Sequence, residues 1–285
     1  EMPILIDYNQ IFIANIMQSP GVHVTGTVEE KLIRHSVLNT LRSYRVKFTD
    51  EFDELIICCD DRKNWRRDVY KEYKANRRKS RKESHLDWNS IYYVLDKIRD
   101  EIKDNLPYSV VKVDYAEADD VIAVLTEHYS FYDAPVLIVS GDKDFQQLHK
   151  YDNVKQYSPN LKEFVEVVNP LKYKREHIMK GDRSDGIPNF MSPDNTFTDG
   201  IRQKPLNKKK MESWSDLEPE IFCDYKQLRN YKRNQSLVDF DYIPDTIKDN
   251  VLLEYQSNGD TGRSKIFNYF VKNRLKELME RIHDF

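Results

Sequence analysis

Apolar positions along this chain come in short runs separated by longer amphipathic stretches. Four runs, Ile4–Ile6, Leu55–Cys59, Tyr108–Val113 and Val136–Val139, read as buried strands. Between them, Glu29–Phe48, Asp87–Asn105 and Ala118–Tyr129 carry apolar residues at helical spacing. The alternation predicts an α/β fold, a mostly parallel central sheet with helices on both faces. Val154–Tyr157 and Phe164–Val168, around the turn SPNLKE, predict a hairpin at its end. After about Asn169 the pattern changes. The stretch GDRSDGIPNFMSPDNTFTDG is rich in Gly, Pro, Asn, Asp and Ser and reads as loop. Beyond it, Lys208–Trp214, Glu218–Tyr231 and Lys265–Ile282 read as helices, so the 181–210 region should separate the α/β core from a helical C-terminal part.

The polar positions carry the chemistry, because each predicted strand ends in acid. Asp7 follows the first, Asp60 and Asp61 the second, Glu117, Asp119 and Asp120 the third, Asp142 and Asp144 the fourth. The GDRSD segment adds Asp182 and Asp185. In an open parallel sheet the carboxyl ends of the strands share one edge, where ligands bind. Taken singly, each acid is explained by helix capping or solvation. Taken together they repel: two carboxylates ~4 Å apart cost ~4 kcal/mol at an effective dielectric of ~20. Clustered carboxylates need cations, and an all-oxygen set without His or Cys suits Mg²⁺, with Mn²⁺ as substitute. Enough ligands for two ions points to two-metal phosphodiester chemistry.

Charge distribution sharpens this. The 285 residues carry a net charge of −3, and 33% of them are charged. Yet Arg62 to Lys82 holds eleven Lys or Arg against two acids, and Arg202 to Lys210 holds five and no acid. Such segregation favours a nucleic-acid partner. On a single helix, Arg66, Val69 or Tyr70, Tyr73 and Arg77 would share one face, with Lys74 beside Tyr73. The plain alternative is a solvated surface helix. Mean hydropathy is −0.75, and no apolar run reaches the ~20 residues a membrane helix needs. EMPILIDYNQ does not read as a signal peptide, and Cys58, Cys59 and Cys223 read as reduced residues of a cytoplasmic protein.

Three blocks carry a resemblance. WRRDVYKEYKANR, AEADDVIAVL, and SGDKDFQQL followed by GDRSDGIPN resemble, in order and spacing, the motifs of the 5′-nuclease family, which includes flap endonucleases and the 5′-nuclease domain of bacterial DNA polymerase I. The likeness is nearest the phage branch. It implies a nuclease core at 1–180, a basic arch at about 62–86 over the active site, and a duplex-binding part at 181–285. It implies that Asp60, Glu117, Asp119 and Asp142 hold one Mg²⁺, and Asp144, Asp182 and Asp185 a second, with Asp7 and Asp120 orienting the ligands. Lys74 and Arg66 would contact the scissile phosphate, Tyr73 would stack on the terminal nucleotide, and Arg77 and Arg67 would bind the strand. Residues 78–86 would form a mobile arch. The family's Gly-rich hairpin after GDRSD is replaced here by NFMSPDNTFTDGIRQKPLNKKK, where Lys204, Lys208, Lys209 and Lys210 remain for phosphate contacts.

The resemblance further implies a monomer acting in replication on DNA with a 5′ flap or fork and on RNA–DNA hybrid. A single-strand-binding protein and a sliding clamp are the partners it implies, with no membrane. By the same likeness, a phage protein would work in the cytoplasm of its bacterial host. Two rivals are a single-strand ribonuclease of the small metal-nuclease type and a non-catalytic binder of branched DNA. The C-terminal stretch KIFNYFVKNRLKELMERI reads as one core-packing helix, with a partner-docking face as the alternative.

Overall fold

The computed structural model describes residues 1–259 and 262–285. Six strands form one sheet: β1 (Pro3–Asp7), β2 (Glu54–Cys58), β3 (Ser109–Val111), β4 (Val136–Val139), β5 (Val154–Ser158) and β6 (Glu163–Phe164). Their order is β3-β2-β1-β4-β5-β6, with every neighbouring pair parallel except β5–β6. The parallel sheet with helices on both faces is therefore as the apolar runs predict. The hairpin strand is shorter than expected: β6 stops at Phe164, and Val168 is fully exposed.

The helices, in chain order, are α1 (Tyr8–Met17), α2 (Pro20–Thr25), α3 (Glu30–Lys47), α4 (Arg66–Val69), α5 (Ala75–Glu83), α6 (Trp88–Asn105), α7 (Ala118–Ser130), α8 (Pro170–Lys180), α9 (Lys208–Trp214), α10 (Pro219–Phe222), α11 (Tyr225–Val238), α12 (Asp245–Ser257), α13 (Ile266–Lys272) and α14 (Lys276–Met279). The two faces of the sheet take alternate strand residues. Ile4 and Ile6 face a core built with α1, α3, α6, α13 and α14. Leu5 and Ile56 face a second core built with α7 and α12. A third cluster joins Tyr70 and Tyr73 to α8, Phe190 and α11. Residues 240–285 thus return to both faces of the sheet.

Three predicted helices are broken, the first two for a packing reason. The basic run is not one helix. Tyr70 donates to the carbonyls of Gly186 and Asp194, Tyr73 donates to Glu117, and Lys74 takes a left-handed φ of 55°. Anchoring two tyrosines to different partners turns the chain between α4 and α5. Arg66, Tyr73 and Arg77 therefore share no helix face, and residues 75–83 of the expected arch are helical. The C-terminal stretch breaks at Arg274, where φ is 54°. Phe270 and Leu275 are five residues apart, so a continuous helix would turn one of them outward. The break lets Ile266, Phe270, Leu275, Leu278 and Phe285 enter the same core, while Ile282 is partly buried beside it. The third, Glu218–Tyr231, is two helices, α10 and α11, separated by Cys223 and the capping residue Asp224.

Candidate active site

The registers of β1 with β2 and β4 bring Asp7, Asp60 and Asp142 to one edge of the sheet. Local hydrogen bonds aim them. Ser140 donates to Asp7 at 2.8 Å, and the amide of Ala118 donates to Asp60 at 2.7 Å. Asp144, just beyond β4, donates its amide to Asp142 at 2.9 Å. Asp119 sits on the first turn of α7, and the GDRSD loop brings Asp182 and Asp185. Gly181 makes that loop possible: its φ is 68°, and a Cβ there would stand 2.3 Å from the Ile187 carbonyl oxygen.

Carboxylate oxygens of Asp119, Asp142 and Asp144 come within 4.8 Å of one another, and so do donor atoms of Asp144, His177 and Asp182. Asp144 belongs to both groups. Beside them lies an open cleft of about 670 Å³ lined by Gln10, Arg77, Lys143, Tyr173, His177 and Lys180 as well as Asp142, Asp144, Asp182 and Asp185.

The electrostatics split these acids into two kinds. Burial, then the nearby charges of Asp60 and Asp142, raises the Asp7 carboxyl well above its ordinary range. Burial and Asp142 do the same to Asp119 and Asp144. Asp60 is pushed up to about 6 by burial and Glu117. Asp185 is pushed up to about 6 by burial, although Lys74 and Arg77 pull the other way. Glu117 is the opposite case. Burial raises it, but Lys74 and Arg66 outweigh that and bring it down to about 2.

Glu117 is held by the Lys74 ammonium at 2.8 Å, by Tyr73 at 3.0 Å and by Asn64. It stands outside both groups of metal-competent donors. Asp120 departs further from the expectation. It is fully buried, takes a bidentate pair from Arg66 at 2.7 and 3.0 Å, and accepts from Trp65 at 3.1 Å. It also caps α7 through the Glu117 amide. Its bonds to Trp65, Arg66 and the Glu117 amide are all to the fold itself, unlike the outer position expected for it.

Arg66 and Tyr73 need the same correction. Both are 2% exposed. Arg66 spends its fork on Asp120 and its Nε on the Leu237 carbonyl, so it does not face a phosphate. Tyr73 has its hydroxyl on Glu117 and its ring in the third cluster, so it offers no face to a base. Lys74 and Arg77 do reach the rim. Lys74 lies 3.9 Å from Asp185, and Arg77 pairs with Asp185 at 2.7 Å. Arg67 is half-buried, and Lys204, Lys208, Lys209 and Lys210 are exposed on the loop leading into α9 and on its first turn.

Two residues at the site lay outside the sequence reading. His177 joins the second group from α8, a helix whose buried apolar residues are only Ile178 and Met179, too few to show a period. Burial lowers its pKa, with Asp182 opposing. Tyr92 on α6 feels Asp60, Arg77 and Lys74, and Arg81 lies 5.3 Å over its ring. The one signal for His177 was its place four residues before Gly181.

Residues 8–180 match the family described as 5′-3′ exonuclease, N-terminal resolvase-like domain. The chain belongs to the 5′-3′ exonuclease family. Residues 173–285 of this exonuclease-family chain match the C-terminal domain of T4 RNase H. Among relatives, it is 35% identical to ribonuclease H of Enterobacteria phage T4, over 99% of this chain and 95% of that protein. It is 30% identical to a 5′-3′ exonuclease of Buchnera aphidicola over 54% of this chain and 53% of the other. Among solved structures, it superposes on the bacteriophage T5 flap endonuclease in a pseudo-enzyme-product complex with DNA and metal ions. There the TM-score is 0.65 at 16% identity, covering 92% of this chain and 99% of that one. The T5 protein co-crystallised with metal ions gives a TM-score of 0.63 at 14% identity, covering 91% and 100%. At such identities the solved structures speak for the fold of this exonuclease-family member.

Proposed function

We propose that this chain is a divalent-metal-dependent, structure-specific 5′ nuclease that hydrolyses RNA primers, the DNA adjoining them, and 5′ flaps during replication. One observation carries the reading. Among the described residues, no Lys or Arg forms an ion pair with Asp7, Asp60, Asp119, Asp142, Asp144 or Asp182, although these acids converge on one edge. Carboxylates crowded and half-buried without an ion-pair partner fit dications. The two donor groups that share Asp144 fit two of them, Mg²⁺ with Mn²⁺ as substitute. The T4 relative is named a ribonuclease and the T5 neighbour binds DNA, which supports RNA–DNA hybrid and branched DNA as substrates.

Bound dications would neutralise charge on the phosphoryl oxygens and ease deprotonation of the attacking water. The chain's own residues do the rest. Lys74, kept charged by Glu117, and Arg77 would hold the phosphate at the cleft. Asp7 would stand behind the ligands and orient them through its bond to Ser140. Attack by water at phosphorus breaks the bond to the 3′-oxygen, which takes up the proton that the water loses. The products end in a 5′-phosphate and a 3′-hydroxyl. In this reading the nuclease core is residues 1–180, and Asp182 and Asp185 from the start of the C-terminal part complete its rim. Duplex grip falls to residues 181–285, through Lys204, Lys208, Lys209 and Lys210, with Arg67 beside the strand. A monomer suffices for both.

The test is cleavage of a 5′-labelled flap junction containing a short RNA segment, in Mg²⁺ and in EDTA. Metal-dependent products from the 5′ side are expected, and Asp119→Asn should slow cleavage by roughly 10³-fold, the several kcal/mol a metal ion supplies. Tight junction binding with no cleavage in any metal would sink the proposal. Preference for single-stranded RNA over the flap would replace it with the ribonuclease alternative.

A further inference from the structure

His177 is the side chain at the rim that an all-oxygen site does not explain. Its Nε2 lies 3.2 Å from Asp144 Oδ1 and 3.9 Å from Asp182 Oδ2. The atom is sealed from solvent, yet no aligned hydrogen bond satisfies it. A buried polar nitrogen left in that state destabilises the fold, so such groups call for a ligand. The ring is also fixed in place. Tyr173, one turn earlier on α8, stacks on it at 5.9 Å. With Asp144 and Asp182, the imidazole nitrogen completes a set of three donors within 4.8 Å. The adjoining set, Asp119, Asp142 and Asp144, is oxygen throughout.

The geometry points to two unlike cation positions at this rim: an all-carboxylate one suited to Mg²⁺, and a second, Asp144–His177–Asp182, that takes a transition-metal dication such as Mn²⁺ or Co²⁺ through the His177 nitrogen. The inference rests on the nuclease reading of the same rim and adds ligand chemistry to it. Mg²⁺ is a hard ion that keeps oxygen ligands and several waters. Imidazole nitrogen adds most for the later first-row ions, whose affinities rise from Mn²⁺ through Co²⁺. In a mixture of Mg²⁺ and a little Mn²⁺, the Mn²⁺ should collect at the histidine position.

Pulsed electron paramagnetic resonance on the full chain without substrate tests this directly. With less than one equivalent of Mn²⁺ and excess Mg²⁺, imidazole ¹⁴N coupling to Mn²⁺ is expected in the intact protein and absent in His177→Gln. By calorimetry, Co²⁺ affinity should fall by roughly 10–100-fold in His177→Gln, while Mg²⁺ affinity falls far less. Asp182→Asn should weaken Co²⁺ binding in the same way, which keeps the test alive if His177→Gln does not fold. Mn²⁺ bound with no ¹⁴N coupling, or with coupling that survives His177→Gln, overturns the inference and leaves the nuclease reading standing. No metal bound and no metal-dependent cleavage removes both.

Discussion

Asp119 and Asp120 stand side by side on the first turn of α7, one at the acid rim and the other in the clamp beneath it. Asp120 is fully buried and Asp119 half-buried. Asp120 meets a guanidinium in bidentate contact, an indole N–H and a backbone amide. Asp119 meets Asp142 and Asp144. The difference lies first in counter-charge, and Asp119 is also the more exposed of the two. A buried acid with its partner supplied holds the fold together, whereas a buried acid among its own kind costs stability and is kept for what it binds. Glu117 shows the boundary: it is next to both regions, and Lys74 pulls it to the clamp side.

The largest effect that would break this comparison comes from the clamp. Arg66→Met removes the fork and strands the Asp120 charge, which should cost about 3–5 kcal/mol in urea unfolding. Under the same conditions, in EDTA at alkaline pH, Asp119→Asn should leave stability unchanged or raise it, because it removes a repelling charge. Equal losses in the two variants would mean that the rim is as structural as the clamp.

Much of this arrangement is visible in the sequence, for definite physical reasons. A parallel sheet buried on both faces needs short apolar runs, and the chain's four runs each lead into acid, so the rim could be placed on one edge from the order alone. What pairs with what could not. Arg66 reaches Asp120 across 54 positions, and nothing local in WRRDVYKEYKANR says that its first arginine turns inward. Likewise, one helix through Tyr70 and Tyr73 satisfied the spacing, but each tyrosine finds a different distant partner and Lys74 takes up the turn. Gly186 explains the closeness of that turn: its Cα faces the Glu72 carbonyl, where a Cβ would come within 3.1 Å. His177 was missed for the reverse reason, since α8 buries too little apolar surface to announce itself and only its place before Gly181 marked it.

A smaller effect follows from pH. A carboxyl whose pKa is higher folded than unfolded binds its proton more tightly when folded, so folding gains as pH falls through that range. Asp60 and Asp185, both pushed to about 6, therefore favour the metal-free fold at mildly acidic pH. Glu117, drawn down to about 2, acts oppositely. Its contribution is present above the unfolded value of about 4.3 and is lost as pH falls below it. In EDTA the melting temperature should rise from pH 8 to about 5 and fall below about 4. Saturating Mn²⁺ should reverse the first limb, since protons and dications compete for the same oxygens. A curve that rises steadily toward alkaline pH in EDTA would place compensating cations at the rim and erase its contrast with the clamp.

The smallest effect concerns charge that belongs to neither region. Lys208, Lys209 and Lys210 open α9 exposed, and among the described residues the ion pair they make is Lys208 with Glu212 at 3.9 Å. Solvated lysines of this kind contribute little to the fold, and alanine is at home in a helix. Replacing all three by Ala should therefore leave unfolding unchanged. If they meet duplex phosphates, each contact removed should lower the slope of log affinity against log salt by about 0.9, independent of sequence. Cleavage at saturating junction should persist, because the rim is intact. A variant that binds normally but cleaves slowly would move these lysines into the chemistry. A variant with unchanged binding and cleavage would leave them as solvated surface and shift the duplex contact elsewhere.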